Sequence, residues 1–197
     1  MTPFKLRCGL IGYGAWGAHH ARVIASNPDA ALIAIAARSE ATQARAAQEH
    51  PACTIHADYQ EMLARETLDA VAVVLPSHLH FAAARAVLES GRHLLLEKPM
   101  CLRVEDCDAL NRLARERGLV LAVGHEMRLS SLWGKGKELI AAGAVGAPLY
   151  VLIELWRRPY RLGADGWRYD IDRVGTVDHD DKAATGLQAR VLTAVLD

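Results

Sequence analysis

The sequence has no excess of charge of either sign. Its 197 residues include 23 lysines and arginines against 23 aspartates and glutamates, which gives a formal net charge of +0. Such a chain has no long-range field to draw it to nucleic acid or to an anionic membrane. The segment 156–161 (WRRPYR) is a candidate nucleic-acid contact, but no wider basic surface accompanies it. We therefore expect a small ligand held by local groups, and no nucleic acid.

The sequence also lacks a cysteine pattern and a long apolar run. Its four cysteines form no Cys-x-x-Cys pair, which argues against a zinc site or a disulfide framework and favours a reducing compartment. No apolar run approaches the roughly 20 residues that a membrane-spanning helix needs. These absences predict a cytoplasmic protein that does not enter a membrane.

Short apolar runs alternate with longer amphipathic segments along the chain. The runs are apolar at successive residues, which is typical of parallel strands covered on both faces. The segments between them have helical spacing. This succession predicts a doubly wound α/β fold with a parallel sheet. The predicted strands are Leu6–Ile11, Ala31–Ala36, Ala70–Leu75, His93–Leu96 and Leu119–Val123.

A glycine pattern directly follows the first predicted strand. Residues 12–17 read GYGAWG, with Gly12, Gly14 and Gly17 spaced as G-x-G-x-x-G and with Ala15 and Trp16 between the last two. The first glycine permits a tight turn, the second lets a pyrophosphate approach the backbone, and the third allows close helix–strand packing. The phosphates would lie on the free N–H groups at the start of the helix. The pattern predicts a dinucleotide-binding Rossmann domain.

The second predicted strand ends without the carboxylate that usually binds the adenosine ribose. Arg38 and Ser39 stand at this end instead. A planar guanidinium suits phosphate, so these residues favour the 2′-phosphate of NADP. The alternative is a solvated Arg38 that stacks beneath the adenine of NAD. NADP is the preferred cofactor and NAD the alternative.

Residues 75–80 (LPSHLH) follow the next strand. Ligands of an open parallel sheet lie outside the carboxyl ends of its strands, so this loop, with Pro76, Ser77 and His80, is expected to face the cofactor. The pair His78 and His80 could suggest a metal site, but no cysteine or carboxylate cluster lies beside it. Ordinary polar contacts of a loop are favoured, and no metal is predicted.

Glu97 and Lys98 end the following strand. A charged pair at the end of a buried strand is costly to desolvate. Lys98 could donate to a substrate hydroxyl and stabilise a developing alkoxide, while Glu97 positions neighbouring groups. The alternative is an ion pair at the surface.

These motifs, with VGHEMR at 123–128, resemble the glucose–fructose oxidoreductase/inositol dehydrogenase (Gfo/Idh/MocA) family. The resemblance covers about residues 5–174 and is most specific at Glu97–Met100. It implies a Rossmann domain followed by an α+β substrate domain, hydride transfer between NAD(P) and a carbinol carbon of a sugar or polyol, and homo-oligomers. It also implies that Lys98 is catalytic and contacts both nicotinamide and substrate. Glu97 and Lys98 are accordingly expected among the cofactor-binding residues. Its implied substrate-side residues are His125, Arg128, Trp167 and Arg168.

The resemblance stops at Gly175. The Asp-x-Gly-x-His pattern that often supplies the family's general base is absent, and His179 has the wrong spacing for that role. We expect a Rossmann domain at 1–145 and a partial substrate domain at 146–197, with a strand at Leu149–Trp156 and an atypical tail from about 176. The expected function is that of an NAD(P)-dependent oxidoreductase. The alternative is a non-catalytic nucleotide-binding fragment or a cofactor sensor.

Overall fold

The computed structural model describes residues 5–150, 152 and 164–174. These residues belong to two compact units, of which the first ends at Gly124 and the second begins at His125. The division falls before the boundary that the sequence predicts at residue 145. The extent of the functional domains stays a prediction.

The first unit is built on one parallel sheet. Its strands are β1 (Leu6–Ile11), β2 (Ala30–Ala36), β3 (Thr54–His56), β4 (Ala70–Val73), β5 (His93–Leu96) and β6 (Leu121–Val123). They lie in the order β3-β2-β1-β4-β5-β6, and each neighbouring pair is parallel. The order reverses between β1 and β4. In a doubly wound fold the ligand crevice lies at this point, outside the carboxyl ends of the strands.

Helices cover both faces of the sheet. They are α1 (Ala15–Ser26), α2 (Glu40–Glu49), α3 (Tyr59–Arg65), α4 (His80–Glu89) and α5 (Val104–Glu116). Leu10 belongs to the apolar cluster that includes α1 and α2, whereas its neighbour Ile11 belongs to the cluster that includes α3, α4 and α5. Burial on both faces explains why the strands are apolar at successive residues. Among the described residues, no helix is long and apolar enough to span a bilayer.

The predicted α/β fold is confirmed, and the differences concern strand ends and one short strand. β4 ends at Val73 where the sequence predicts Leu75, and β6 begins at Leu121 where it predicts Leu119. The strand that was not predicted is β3, which has three residues, pairs only with β2 and begins with the exposed Thr54. Three residues are too few for a period to show.

The described residues of the second unit form α6 (Ser131–Ala141), α7 (Ile171–Val174) and two 3₁₀ turns, Glu126–Leu129 and Ala164–Tyr169. Nothing in the sequence predicted α6, because Gly134 and Gly136 lie in its interior and glycine disfavours a helix there. Most of the predicted strand Leu149–Trp156 and the whole tail from 176 lie outside the described residues. Leu149, Tyr150 and Leu152 are described and belong to no strand.

An ion pair joins the amino ends of β1 and β4, on the side of the sheet away from the glycine loop. Asp69 Oδ1 accepts a hydrogen bond from Arg7 Nη2 at 2.6 Å, and Oδ2 accepts from the Arg7 backbone N–H at 2.8 Å. These hydrogen bonds lower the pKa of Asp69 from its ordinary value of 3.8 to about 2. The carboxylate is therefore more stable in the folded chain than in the unfolded one.

We expect Asp69→Asn to lower the free energy of unfolding by only about 1 kcal/mol at neutral pH, because the Arg7 side chain is partly exposed and solvent screens the ion pair. The folded-state pKa lies below the unfolded-state value. The stabilisation is therefore complete above about pH 4 and is lost as the pH falls towards about 2. Urea unfolding of both proteins across this range should show their stabilities converging in acid.

The control is Asp58→Asn, which also removes one negative charge but keeps an oxygen to accept the N-cap hydrogen bond from Gln60. A constant difference between wild type and Asp69→Asn from neutral pH to pH 2 would contradict the assignment.

Candidate functional site

Two glycines of the loop between β1 and α1 are required by the packing of the chain itself. Gly12 has a φ of 97°, and a Cβ there would overlap the backbone carbonyl of Val74, which follows β4. A Cβ on Gly17 would overlap the carbonyl oxygen of Gly12. The loop is thus pressed between β4 and the first turn of α1. These two residues would be glycines whether or not a ligand binds.

Gly14 is different, because nothing in the described chain requires a glycine there. Its φ of −70° and ψ of −170° suit any residue, and no heavy atom lies within 4 Å of an added Cβ. It is the N-cap of α1. A glycine has no side chain to accept hydrogen bonds from the free N–H groups of the helix, and the first turn contains no acidic residue. Gly14, Ala15 and Trp16 are all exposed. Open space, free donors and a helix dipole form a binding place for an anion.

Tyr13 anchors the loop from beneath. Its ring is 1% exposed, its hydroxyl donates to Glu49 Oε2 at 2.7 Å, and Arg45 Nη2 donates to its carbonyl oxygen at 2.5 Å. Burial, with the hydrogen bond to Glu49, raises the pKa of Tyr13 to about 12. Arg45 and Glu49 both lie on α2. No local motif in the sequence indicates this anchor.

Arg38 and Ser39 lie where β2 ends and α2 begins, at the same sheet edge as the glycine loop. Arg38 is exposed. The Ser39 hydroxyl accepts a hydrogen bond from the Thr42 backbone N–H at 3.3 Å and lies 2.7 Å from the Thr42 hydroxyl. Ser39 therefore caps α2, and its contact with a cofactor stays a prediction, as does that of Arg38.

The loop that follows β4 is fixed by His80. The imidazole is 1% exposed, with Nδ1 at 2.7 Å from the Pro99 carbonyl oxygen and Nε2 at 2.8 Å from that of Leu75. The ring joins the loops after β4 and β5. Because it is buried, it lies behind the loop surface and holds the two loops together. Ser77 is buried as well. Direct cofactor contacts of Pro76, Ser77 and His80 stay predictions.

Both ring nitrogens of His80 are thus engaged by backbone oxygens, which leaves none for a metal. Within the described part of the chain, no cluster of three or more histidine, cysteine or acidic side chains could hold one. His78, two residues before His80, belongs to no such cluster either.

Glu97 is a buried carboxylate at the carboxyl end of β5, 7% exposed. Its Oε1 accepts a hydrogen bond from Trp16 Nε1 at 2.9 Å and lies 2.8 Å from His20 Nε2. Its Oε2 accepts from the Lys98 backbone N–H at 3.2 Å. Burial alone would raise the pKa of Glu97, but the hydrogen bonds from His20 and Trp16 outweigh burial and lower it. The carboxylate is held ionised.

Lys98 is exposed beside this carboxylate. The carboxylate is directed to Trp16 and His20, so the surface ion pair that was the alternative interpretation of Glu97 and Lys98 does not form. His20 was not singled out from the sequence, although it lies four residues after Trp16 and hence on the same face of α1. Lys98 presents a cation at the ligand edge of the sheet, next to the strand order reversal.

The remaining predicted residues belong to the second unit. His125 precedes the 3₁₀ turn Glu126–Leu129, Arg128 lies within it, and both are exposed. The Arg168 guanidinium lies over the Trp167 ring, 5.5 Å from its centroid. A substrate-side role for these four residues stays a prediction.

A six-stranded parallel sheet in this order, with a glycine loop at the first crossover, defines a dinucleotide-binding Rossmann domain. Residues 6–125 match the family described as "Oxidoreductase family, NAD-binding Rossmann fold". The chain belongs to this Gfo/Idh/MocA family of oxidoreductases, as the motifs predicted.

Similarity to individual proteins covers only part of each. The chain is 38% identical over 151 residues to a dTDP-3,4-didehydro-2,6-dideoxy-alpha-D-glucose 3-reductase of Streptomyces violaceoruber, covering 77% of this chain and 43% of the relative. It matches the scyllo-inositol dehydrogenase of Lactobacillus casei, solved with NAD(H) and scyllo-inositol, at a TM-score of 0.67 and 26% identity, over 72% of this chain and 42% of the other. Biliverdin reductase of Synechocystis, solved with biliverdin and NADP+, matches at a TM-score of 0.64 and 27% identity, over 69% of this chain and 43% of the other.

Proposed function

We propose that the chain supplies the NAD(P)-binding part of an oxidoreductase that moves hydride between nicotinamide and a carbinol carbon of a sugar, polyol or related small molecule. Gly14 carries the proposal. The packing of the chain explains Gly12 and Gly17 but leaves Gly14 unexplained, whereas close approach of a pyrophosphate explains it. The named activities of the family relatives support the class of reaction.

In this proposal the residues at the sheet edge have separate roles. The glycine loop binds the pyrophosphate through backbone N–H groups. The bound nicotinamide exchanges the hydride. The exposed ammonium of Lys98 donates to the substrate oxygen and stabilises the negative charge that develops as the carbinol is oxidised. Glu97 takes no such part, because its oxygens are engaged by Trp16, His20 and the Lys98 N–H.

The second candidate function is a nucleotide-binding module without catalysis, such as a cofactor sensor. The observation that favours it is that the features expected to bind a nucleotide, the glycine loop and the free N–H groups of α1, all lie within the first unit. Calorimetric titration with NAD(H) and NADP(H), beside a turnover assay on a panel of sugars and polyols, separates the candidates. Binding with turnover supports the oxidoreductase, binding alone supports the module, and no binding of either cofactor contradicts both.

We expect NADPH to bind about tenfold more tightly than NADH, because a charge-assisted hydrogen bond from Arg38 to the 2′-phosphate is worth roughly 1.5 kcal/mol. Arg38→Ala should then weaken NADPH binding about tenfold and leave NADH within about twofold. Arg65→Ala is the matched control, because it removes an exposed arginine on α3 that pairs with Glu61. Equal affinities for the two cofactors would exclude a 2′-phosphate site. An equal loss of both affinities in Arg38→Ala would then favour the adenine-stacking alternative, and no loss of either would exclude a contact between Arg38 and the cofactor.

A further inference from the structure

Glu97 binds together elements that meet at the ligand edge of the sheet. Trp16 and His20 reach it from α1, and the Lys98 N–H reaches it from the next residue of its own loop. The end of β6 also closes on it, because a Cβ on Gly124 would stand 3.0 Å from Glu97 Oε1. One carboxylate therefore contacts the first helix after the glycine loop, the end of β5 and the end of β6.

Trp16 is the part of this arrangement nearest to the glycine loop. It follows the N-cap Gly14 by two residues, and its ring stacks on His19 at 5.2 Å and meets His20 edge-on at 6.1 Å. Its indole N–H is bound to Glu97, yet 46% of the residue is exposed. The exposed ring is thus held in one orientation beside the place where the phosphates would bind.

Stability alone does not account for a carboxylate at this position. Desolvation of a charged group offsets most of what its hydrogen bonds contribute, and an apolar side chain of similar volume serves a core at least as well. The neighbouring Leu94 and Leu96 of β5 show that this strand already packs as a core strand. The carboxylate stands instead where β5 reaches the ligand edge.

We propose that Glu97 is a positioning residue that couples the two halves of the dinucleotide site, because it fixes Trp16 beside the pyrophosphate loop and the backbone of Lys98 beside the second mononucleotide. The inference rests on the proposed function. A ligand that ends at its phosphates, such as ADP, contacts only the glycine loop and the β1–β2 half of the sheet, whereas a complete dinucleotide extends across the strand order reversal to the β4–β5 half. Loss of the coupling therefore weakens the complete dinucleotide more than ADP.

The test measures binding of NADPH or NADH, whichever the wild type prefers, by its fluorescence, and binding of ADP by competition. Trp16→Phe keeps an aromatic ring but removes the N–H donor, and Glu97→Met removes the acceptor at similar volume. Each should raise the ratio of the dinucleotide Kd to the ADP Kd about tenfold, with ADP itself changed less than about twofold. The double variant should show about the same ratio as the more strongly affected single variant, because the two substitutions remove the same hydrogen bond.

Asp69→Asn is the control for a loss of stability, because its ion pair lies at the opposite ends of the strands, and it should leave the ratio unchanged. If Glu97→Met does not fold, the exposed Trp16→Phe decides alone. A ratio that changes less than threefold in Trp16→Phe would overturn the coupling while the proposed function stands. A wild type that binds no dinucleotide would overturn the proposed function, and the coupling with it.

Discussion

Gly14→Val is expected to weaken binding of the dinucleotide at least a hundredfold and to leave the chain folded. Apart from its chain neighbours and its own helix backbone, no described heavy atom lies within 4 Å of an added Cβ, and the backbone angles suit valine. The free energy of unfolding should fall by about 1 kcal/mol or less, because valine is a poorer N-cap than glycine. The branched side chain occupies the space that a pyrophosphate needs to reach the helix N–H groups. Calorimetric titration and urea unfolding of the same preparation measure the two effects separately.

Gly17→Val is the matched contrast three residues further on. There the Cβ overlaps the backbone carbonyl of Gly12, which cannot move without moving the loop against Val74. We expect a loss of more than about 3 kcal/mol, which is a large part of the roughly 5–15 kcal/mol that stabilises an ordinary domain. If Gly14→Val bound the cofactor within threefold of the wild type, the pyrophosphate would have to bind elsewhere, and the glycine pattern would be a matter of packing only.

The fold was predictable because its signals are local and repeated. Leu10 and Ile11 are adjacent apolar residues on opposite faces of a strand, and that pattern has meaning only in a sheet covered on both sides. β3 was not predicted because it has only three residues, of which Thr54 is exposed, and so shows no period. α6 was not predicted because Gly134 and Gly136 disfavour a helix interior.

The sequence was sufficient to predict where the site residues lie at the sheet edge, but not which side chains they contact. The glycine loop and the strand-end Glu97 and Lys98 were found because the topology places the carboxyl ends of parallel strands at one edge. The partners of Glu97 were not found, since Trp16 and His20 lie 81 and 77 residues away in the sequence. His80 was assigned to the correct loop, but only burial shows that its ring faces inward.

Lys98→Ala is expected to lower turnover about a hundredfold in any form of the protein that turns over substrate, with the cofactor Kd within about threefold of the wild type. The ammonium is exposed at the ligand edge, while its backbone N–H is bound to Glu97 and remains so in the variant. The substitution therefore removes the charge that stabilises the developing alkoxide and leaves the glycine loop intact. Steady-state kinetics with a saturating cofactor, and cofactor binding by fluorescence, measure the two quantities.

Lys135→Ala is the matched control, because it removes an exposed lysine on α6 that pairs with Glu138. Addition of small primary amines should restore part of the lost turnover of Lys98→Ala, since an ammonium ion in solution can occupy the space that the side chain leaves. Restoration by amines of different size would identify the missing group as a cation near the reacting oxygen. Near-normal turnover of Lys98→Ala, with Lys135→Ala unchanged, would mean that Lys98 is only a solvated residue at a strand end, and the charge that develops on the substrate oxygen would have to be stabilised by another group.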